Sequence, residues 1–276
     1  MIRGTTRLIA HLGHPIEAVK APMIYNPFFE HRNIDAVVVP MGVEAGAYAS
    51  VLKALFELTN LVGVLITMPH KVSTVALLDE YTDAVRIAGS CNAVIRGPGG
   101  TLVGDMFDGT GFVRGLLRKS FVCKGASCLV VGAGGVGSAI AAALAQAGVA
   151  SIACYDTNPS AAEGLRQRLL QNYPDIEVEV RPPRPAGYDL AVNATPLGMK
   201  VGDALPMDIA DLGPATFVGE VVMKQEITPL LHAARMRGCP TQVGTDMLFE
   251  QIPLYLEFFG LATAEPDELR ALARLA

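Results

Sequence analysis

The sequence predicts an α/β protein in which an N-terminal α/β domain with a mainly parallel sheet precedes a C-terminal Rossmann domain. Short apolar runs without polar alternation alternate with helical stretches, which is typical of parallel strands covered on both faces. A glycine-rich turn at 132–137 follows one such run and opens a helix. The 276 residues, 51% of them hydrophobic, are enough for two domains of roughly 100–200 residues, each with an apolar core.

Apolar runs and turn residues define the elements of the first half. Strands are predicted at 8–12, 36–39 and 63–67, and helices from Pro22 and over 45–58. Proline suits the first turn of a helix, where no backbone N–H is needed.

A turn signal at Gly97-Pro98-Gly99-Gly100 separates two further apolar runs. The runs at 90–96 and 101–104 are therefore predicted to form a hairpin at the edge of the first sheet.

A second series of strands and helices begins near residue 126. The strand at 127–131 leads into the glycine-rich turn and an alanine-rich helix that ends at Ala147, with Gly148 as its cap. The domain boundary is expected near 115–125. The remaining predicted elements are strands 151–155, 176–180, 188–193, 217–222 and 241–243, and helices 160–171 and 247–259.

Composition excludes several classes of function. The net charge is −5 with no basic run, which argues against nucleic acid and anionic membranes as partners. No apolar run reaches the roughly 18–20 residues of a membrane span, and the N-terminus does not resemble a signal peptide. The five cysteines form no CxxC motif, which fits a reducing cytoplasm and argues against a zinc ribbon. We therefore expect a cytoplasmic enzyme with a small-molecule substrate.

The glycine-rich turn predicts a dinucleotide site. Gly132, Gly134 and Gly137 have the GxGxxG spacing that allows a tight turn, close approach of a pyrophosphate and close packing of helix and strand. Asp156 ends the next strand, where a carboxylate binds the ribose hydroxyls of NAD and repels the 2′-phosphate of NADP. NAD is therefore the preferred cofactor, with NADP as the alternative. A glycine-rich turn of an unrelated α/β protein, with Asp156 as a loop or cap residue, is the competing interpretation.

Several short motifs occur in an order and spacing that resemble the shikimate/quinate dehydrogenase family over nearly the whole chain. Asn193-Ala194-Thr195-Pro196-Leu197-Gly198-Met199 is similar to the N-A-T-P-x-G-M motif of that family. The other matching segments are 13–22, 63–71, 89–93, 104–109, 228–231 and 244–251.

The resemblance implies reversible hydride transfer between NAD(P) and a ring hydroxyl of a cyclic polyol acid such as shikimate or quinate. It implies a substrate-binding and catalytic domain at 1–115, completed by C-terminal helices at 245–276, and an NAD(P)-binding domain at 116–244. Lys71 and Asp108 correspond to the family's lysine–aspartate pair that takes part in proton transfer. Such a pair fits the reaction, because oxidation of an alcohol requires an acceptor for the hydroxyl proton. Without the resemblance, Lys71 would be interpreted as a solvated lysine and Asp108 as a helix N-cap.

The other implied site residues form two groups, and no metal ligand is among them. The substrate positions are Val19, Ala21, Thr67, Asn92, Met223 and Gln251. The cofactor positions are Gly132, Gly134, Gly135, Val136, Gly137, Asp156, Asn193, Thr195, Pro196 and Gly244.

The sequence departs from the family pattern in the substrate site. Val19 and Ala21 replace two serines that bind the substrate carboxylate in the family. Hydrogen bonds to a charged group contribute about 1.5–3 kcal/mol each, so their loss corresponds to roughly two to four decades of affinity. Further apolar replacements are Ala18, Leu65, Met106, Phe107 and Met223. We therefore expect poor activity on shikimate.

Two explanations of this departure remain open. A backbone N–H, His11, His14 or Lys20 captures the carboxylate, or the substrate is a different hydroxylated ring without one. A metal site at His11 and His14 would lack a third ligand.

Two alternatives concern the function as a whole. One is a regulatory dinucleotide-binding paralogue without catalysis, and the other is a methylenetetrahydrofolate dehydrogenase. Retention of Lys71 and Asp108 argues against the first, and Asp108 with 193–199 argues against the second. The expected assembly is a monomer or homodimer.

Overall fold

The computed structural model describes residues 2–17 and 19–275, so that Ala18 lies outside the described residues. The chain divides into two compact units. The first comprises Met1–Phe107 and Ile252–Ala276, and the second comprises Asp108–Gln251. Both units contain a sheet with helices, which confirms the predicted α/β class. Within the described part of the chain, no helix has the length and apolar character needed to span a membrane.

The first unit contains a mainly parallel sheet. Its strands are β1 (Arg7–Gly13), β2 (Ala36–Gly42), β3 (Leu61–Ile66), β4 (Glu80–Tyr81), β5 (Ala93–Arg96) and β6 (Leu102–Asp105). They lie in the order β2-β1-β3-β5-β6-β4. The β5 strand is antiparallel to β3 and β6, and the other described pairs are parallel. The β5–β6 hairpin does not form the edge of the sheet, because β4 pairs beyond β6 and is too short for a sequence signal.

The helices of the first unit cover this sheet and begin with α1. The helix α1 starts at Pro22 and buries Ile24, Phe28 and Phe29, because its apolar side chains recur at helical spacing. Leu269 is fully buried in the C-terminal helix α10, which packs on α1. The helices are α1 (Pro22–His31), α2 (Ala45–Leu55), α3 (Lys71–Thr74), α4 (Asp83–Ala88) and α10 (Pro266–Leu272).

The second unit contains a parallel sheet of the Rossmann type. Its strands are β7 (Ser127–Val131), β8 (Ser151–Tyr155), β9 (Glu177–Val180), β10 (Leu190–Asn193), β11 (Phe217–Glu220) and β12 (Thr241–Gln242). They lie in the order β12-β11-β10-β7-β8-β9, and every described pair is parallel. Leu129, Val130 and Val131 of the central β7 are almost completely buried, as expected for a strand covered on both faces.

The helices of the second unit are α5 (Asp108–Arg118), α6 (Gly135–Gln146), α7 (Pro159–Asn172) and α8 (Pro229–Met236). The helix α9 (Gly244–Phe258) contains the division between the units, at Gln251 and Ile252. The helices α4 and α8 are absent from the sequence-based prediction, whereas α10 lies within the C-terminal helices expected at 245–276. The last helix for which the sequence predicts separate bounds is 247–259, and α10 follows it.

The division between the units differs from the domain boundary expected from the sequence. The structure divides the chain after Phe107 and after Gln251, whereas the sequence suggested 115/116 and 244/245. The reason is the packing of α5, because a side chain at Gly109 would overlap the carbonyl oxygen of Ala139 in α6. The start of α9 also packs on α5, since a Cβ at Gly111 would lie 2.7 Å from the Cβ of Gln251.

In each sheet the chain first adds strands toward one edge and then returns to add strands toward the other edge. The two strands that flank this change define the topological switch point. In the first unit this point lies between β1 and β3, and in the second it lies between β7 and β10. Ligands of open α/β sheets bind outside the carboxyl ends of the strands at such points. The two strand ends therefore define where the functional residues of each unit are to be sought.

Candidate active site

In the first unit, backbone hydrogen bonds bring the segments after β1 and β3 together. The N–H of Thr67 donates to the carbonyl oxygen of Leu12 at 2.9 Å, and the N–H of His14 donates to that of Met68 at 2.9 Å. Because β5 is antiparallel to β3, its N-terminal end lies at the same edge. There the N–H of Ile66 donates to the backbone carbonyl oxygen of Asn92 at 2.9 Å. Thr67 and Asn92, two of the expected substrate residues, thus share one edge.

Lys71 begins α3 at this edge and is half-buried. Its carbonyl oxygen accepts a hydrogen bond from the N–H of Cys91 at 2.8 Å. The preceding residue, His70, is buried and stacks on Tyr48 with ring centroids 4.0 Å apart. The Nε2 atom of His70 lies 2.7 Å from the carbonyl oxygen of Val43. The backbone that carries Lys71 is therefore held by buried contacts that the sequence did not reveal.

Asn92 is fully buried and only partly satisfied. Its Oδ1 accepts a hydrogen bond from the N–H of Phe107 at 3.0 Å. Its Nδ2 has no hydrogen-bond partner within the described residues. Buried polar groups almost always have a partner in native structures, so this amide is a candidate ligand contact.

His11 lies near the end of β1 and is half-buried. Its Nδ1 is buried and has no hydrogen-bond partner among the residues described. Burial, and secondly the positive charge of Lys71, lowers the pKa of His11 to about 3. The imidazole is therefore neutral at physiological pH.

The positions that replace the two family serines are also located in the first unit. Val19 is half-buried, and Ala21 is buried immediately before α1. Neither side chain can donate a hydrogen bond.

In the second unit, the glycine-rich turn joins β7 to α6 and leaves room on one side. Gly132 has a φ of 105°, and a Cβ there would lie 2.8 Å from the carbonyl oxygen of Ala194. A Cβ at Gly137 would overlap the carbonyl oxygen of Gly132, whereas one at Gly134 would meet nothing within 4 Å. The turn therefore packs closely against the protein at Gly132 and Gly137 and leaves open space at Gly134. Together with the helix N-terminus formed by Gly135 and Val136, it fits a dinucleotide pyrophosphate.

Asp156 follows β8 and bonds to backbone on both sides. Its Oδ2 accepts from the N–H of Ala133 at 2.7 Å, and its Oδ1 accepts from the N–H of Asn158 at 2.8 Å. The carboxylate therefore shapes the turn, which is compatible with ribose binding. The guanidinium of Arg166 pairs with Glu163 at 2.8 Å.

Asn193 and Thr195 shape the loop after β10. The Oδ1 of Asn193 accepts from the N–H of Thr195 at 3.0 Å and from its hydroxyl at 2.7 Å. The Nδ2 of Asn193 donates to the carbonyl oxygen of Leu197 at 3.0 Å. Pro196 is exposed in this loop. The loop is adjacent to Gly132, so these residues lie at the switch point of the sheet.

Glu220 was not predicted as a functional residue. It is fully buried at the end of β11, its Oε2 accepts from the Thr228 hydroxyl at 3.0 Å, and its Oε1 has no partner in the described structure. Burial raises the pKa of Glu220 to about 7. A glutamate at the end of an apolar strand carries no sequence signal for such a shift.

Four further expected positions belong to the second unit. Gly244 starts α9 so close to the backbone of Val222 that a side chain would overlap its carbonyl oxygen. Met223 is half-buried, and Asp108 is buried at the start of α5. Gln251 is buried, and its Oε1 has no partner among the described residues.

The described residues contain no group of three or more His, Cys, Asp or Glu side chains that could hold a metal ion. His14 is exposed.

Comparison with known proteins identifies relatives over the whole chain. A model of the shikimate dehydrogenase substrate binding domain matches residues 12–94. The shikimate dehydrogenase (NADP(+)) of Acidiphilium cryptum is 32% identical over 275 residues, which cover 99% of this chain and 98% of that protein.

Two solved structures have similar folds. The shikimate 5-dehydrogenase of Listeria monocytogenes, in complex with shikimate and NAD, has a TM-score of 0.88 and 27% identity, covering 98% of this chain and 97% of that one. The ligand-free 5-ketofructose reductase of Gluconobacter sp. strain CHM43 has a TM-score of 0.85 and 26% identity, covering 97% of each chain.

Proposed function

The chain belongs to the shikimate dehydrogenase family, and we propose that it transfers a hydride reversibly between NAD(P) and a ring hydroxyl of a cyclic polyol acid such as shikimate or quinate. The observation that carries this proposal is the presence of buried, unpartnered polar atoms at expected substrate positions. These atoms are the Nδ2 of Asn92 and the Oε1 of Gln251. An unsatisfied buried group costs about 1–3 kcal/mol, which hydroxyl groups of a polyol would offset by hydrogen bonding.

Proton transfer is assigned to Lys71 and Asp108. Oxidation of a secondary alcohol releases a hydride from carbon and a proton from the hydroxyl oxygen, and the nicotinamide, when bound, accepts the hydride. In this proposal the Lys71 amine contacts the hydroxyl oxygen and takes up its proton. Asp108, which is buried at the start of α5, is proposed as the second member of the pair.

NAD is proposed as the preferred dinucleotide. The Asp156 carboxylate would repel a 2′-phosphate, and the side chain of Arg166 is engaged with Glu163. The curated relative from Acidiphilium cryptum is named for NADP(+), whereas the Listeria monocytogenes structure contains NAD. Family membership therefore does not decide between NAD and NADP. We base the preference for NAD on Asp156, the residue that follows β8.

A second candidate function is favoured by Val19 and Ala21. In the absence of the two serine hydroxyls, a substrate without a carboxylate loses no hydrogen bond at these positions. The similarity to a 5-ketofructose reductase supports this candidate, because 5-ketofructose has no carboxylate. The reaction class stays the same, and the substrate becomes an uncharged polyol or hydroxyketone.

We also infer a cytoplasmic location and a monomer or homodimer. The inference of location is supported by the five cysteines, all of which are free and buried.

The experiment that tests the proposed function is a dinucleotide-linked assay of the purified protein. Quinate, shikimate and myo-inositol are offered for oxidation with NAD or NADP, and 5-ketofructose is offered for reduction with NADH or NADPH. We expect turnover of at least one probe, with NAD or NADH preferred. Dinucleotide binding without turnover of any probe would contradict the proposal and favour a regulatory dinucleotide-binding protein.

A further inference from the structure

His11 is a polar residue at the candidate substrate edge to which the family resemblance assigns no role. We propose that His11 contacts the substrate beside Lys71, through a hydrogen bond to an uncharged oxygen, and thereby selects a carboxylate-free polyol or hydroxyketone. This inference rests on the proposed function, and it chooses between the two candidate substrate classes.

The position of His11 places it where a ligand is expected. It lies two residues before the end of β1, which is one of the two strands at the switch point of the first sheet. Its register partners are Pro40 in β2 and Leu65 in β3. Since residues in register in a parallel sheet share a face, the imidazole has apolar neighbours on both sides.

The hydrogen bonding of His11 differs from that of a structural histidine in the same unit. The ring of His70 is stacked on Tyr48, and its Nε2 lies 2.7 Å from the oxygen of Val43. The Nδ1 of His11 is buried without a partner, while the residue as a whole stays partly exposed. A buried ring nitrogen without a partner is costly, so a partner supplied by a ligand explains its presence better than packing does.

The charge of His11 determines whether it binds an uncharged hydroxyl or carbonyl oxygen or a carboxylate. Burial, which is the larger of the two causes, keeps the imidazole neutral, and a positive charge on Lys71 acts in the same direction. A neutral imidazole offers one donor and one acceptor, which matches a hydroxyl or carbonyl group. It cannot supply the positive charge that would attract a carboxylate. His11 is therefore not the group that replaces the missing serines.

The side chains of Val19 and Ala21 agree with this conclusion. They supply no hydrogen-bond donor to a carboxylate. The combination of a neutral imidazole with two apolar side chains suits an uncharged substrate.

The test compares His11→Val, which keeps a strand-forming side chain, with His11→Gln, which keeps hydrogen-bonding capacity. The same exchange at an exposed histidine of α8, His232→Val, is the matched control. Each protein is assayed with 5-ketofructose, myo-inositol and shikimate, and dinucleotide binding and thermal unfolding are measured separately. If His11→Val does not fold, His11→Gln carries the comparison.

We expect the wild type to have a higher kcat/KM for a carboxylate-free probe than for shikimate. His11→Val lowers this kcat/KM about 10-fold or more, mainly through KM, while dinucleotide affinity stays unchanged. His11→Gln lowers it less, and His232→Val stays within about twofold, which is typical of a surface exchange.

Distinct results would overturn the inference and the proposed function. An unchanged kcat/KM in His11→Val would refute the contact. A wild type that prefers shikimate over both carboxylate-free probes would refute the selection. If the folded wild type binds dinucleotide but turns over no probe, the proposed function itself fails, and the inference fails with it.

Discussion

At the scale of single residues, Lys71 is the side chain on which turnover is expected to depend most. We predict that Lys71→Ala lowers kcat by roughly 10²–10⁴-fold, which is the usual contribution of a positioned acid or base. Dinucleotide affinity should stay nearly unchanged, because Lys71 is not among the residues proposed to bind the dinucleotide. Steady-state kinetics and a fluorescence titration with NADH measure the two effects. The exposed Lys53 provides a control as Lys53→Ala, and near-normal turnover of Lys71→Ala would disprove its role.

Val19 and Ala21 are predicted to limit activity on shikimate. The double variant Val19→Ser/Ala21→Ser should raise the kcat/KM for shikimate, by at most the two to four decades that two hydrogen bonds to a carboxylate provide. The variant Val19→Thr/Ala21→Gly supplies one hydroxyl and should gain less. Assays with shikimate and myo-inositol separate a gain specific to the carboxylate from a general effect. Equal gains on both compounds would show that the hydroxyls act on something other than a carboxylate.

Asp156 is predicted to determine the dinucleotide preference. Asp156→Asn removes the negative charge but keeps an amide oxygen that can accept from the N–H of Ala133. The ratio of kcat/KM for NADP to that for NAD should increase about 10-fold or more, because the repulsion of the 2′-phosphate is lost. Asp189→Asn, at a carboxylate that bonds to Ser127 in the same unit, serves as the control. An unchanged ratio in Asp156→Asn would mean that the carboxylate acts only as a loop cap.

At the scale of secondary-structure elements, the pairing of β10 and β11 places Asn193 beside Glu220 in register. The Nδ2 of Asn193 lies 3.5 Å from Glu220 Oε2, and the hydroxyl of Thr228 donates to the same oxygen. Both contacts favour the carboxylate, but burial outweighs them and raises the pKa of Glu220 from 4.5 to about 7. A buried carboxyl group with this shift makes the stability of the second unit depend on pH.

The direction of that dependence follows from the raised pKa of Glu220. The stabilising contribution of the protonated group is fully present below pH 4.5 and is lost as the pH rises through about 7. At pH 8 the loss amounts to roughly 3 kcal/mol. Glu220→Gln removes this titration. The variant's free energy of unfolding in urea should therefore exceed that of the wild type by more at pH 8 than at pH 5. Glu57→Gln, at an exposed glutamate, is the control. If Glu220→Gln and the wild type differ in free energy of unfolding by the same amount at both pH values, the effect is ruled out.

At the scale of the whole molecule, the two units should respond differently to dinucleotide. Ligand binding stabilises the folded state by about 2.7 kcal/mol at a ligand concentration of 100 times Kd. With NAD present, amide hydrogen exchange should slow most in the second unit, around 132–138 and 193–198. Exchange in β1 and β2 of the first unit serves as the internal reference. Slowing that is confined to the first unit would contradict the assignment of the dinucleotide site.

The fold class and the family follow from local patterns in the sequence, and these predictions are confirmed. Apolar runs without alternation identify buried parallel strands, and the glycine spacing identifies the turn after β7, since both depend on residues close in the chain. Short elements such as β4 have too few residues to form a pattern. The position of α5 in the second unit depends on its packing against α6, which no local pattern encodes.

Motifs in the sequence were sufficient to predict the reaction class, to locate the residues proposed to carry it and to reveal the departure at Val19 and Ala21. The polar atoms that lack partners could be identified only in the folded protein. The neutral state of His11 arises from burial in the folded unit and from the charge of Lys71, which is distant in the chain. The incomplete bonding of Asn92 and the raised pKa of Glu220 arise in the same way. Hydrogen-bond satisfaction and desolvation are properties of the assembled interior, so they become visible only when distant segments have packed together.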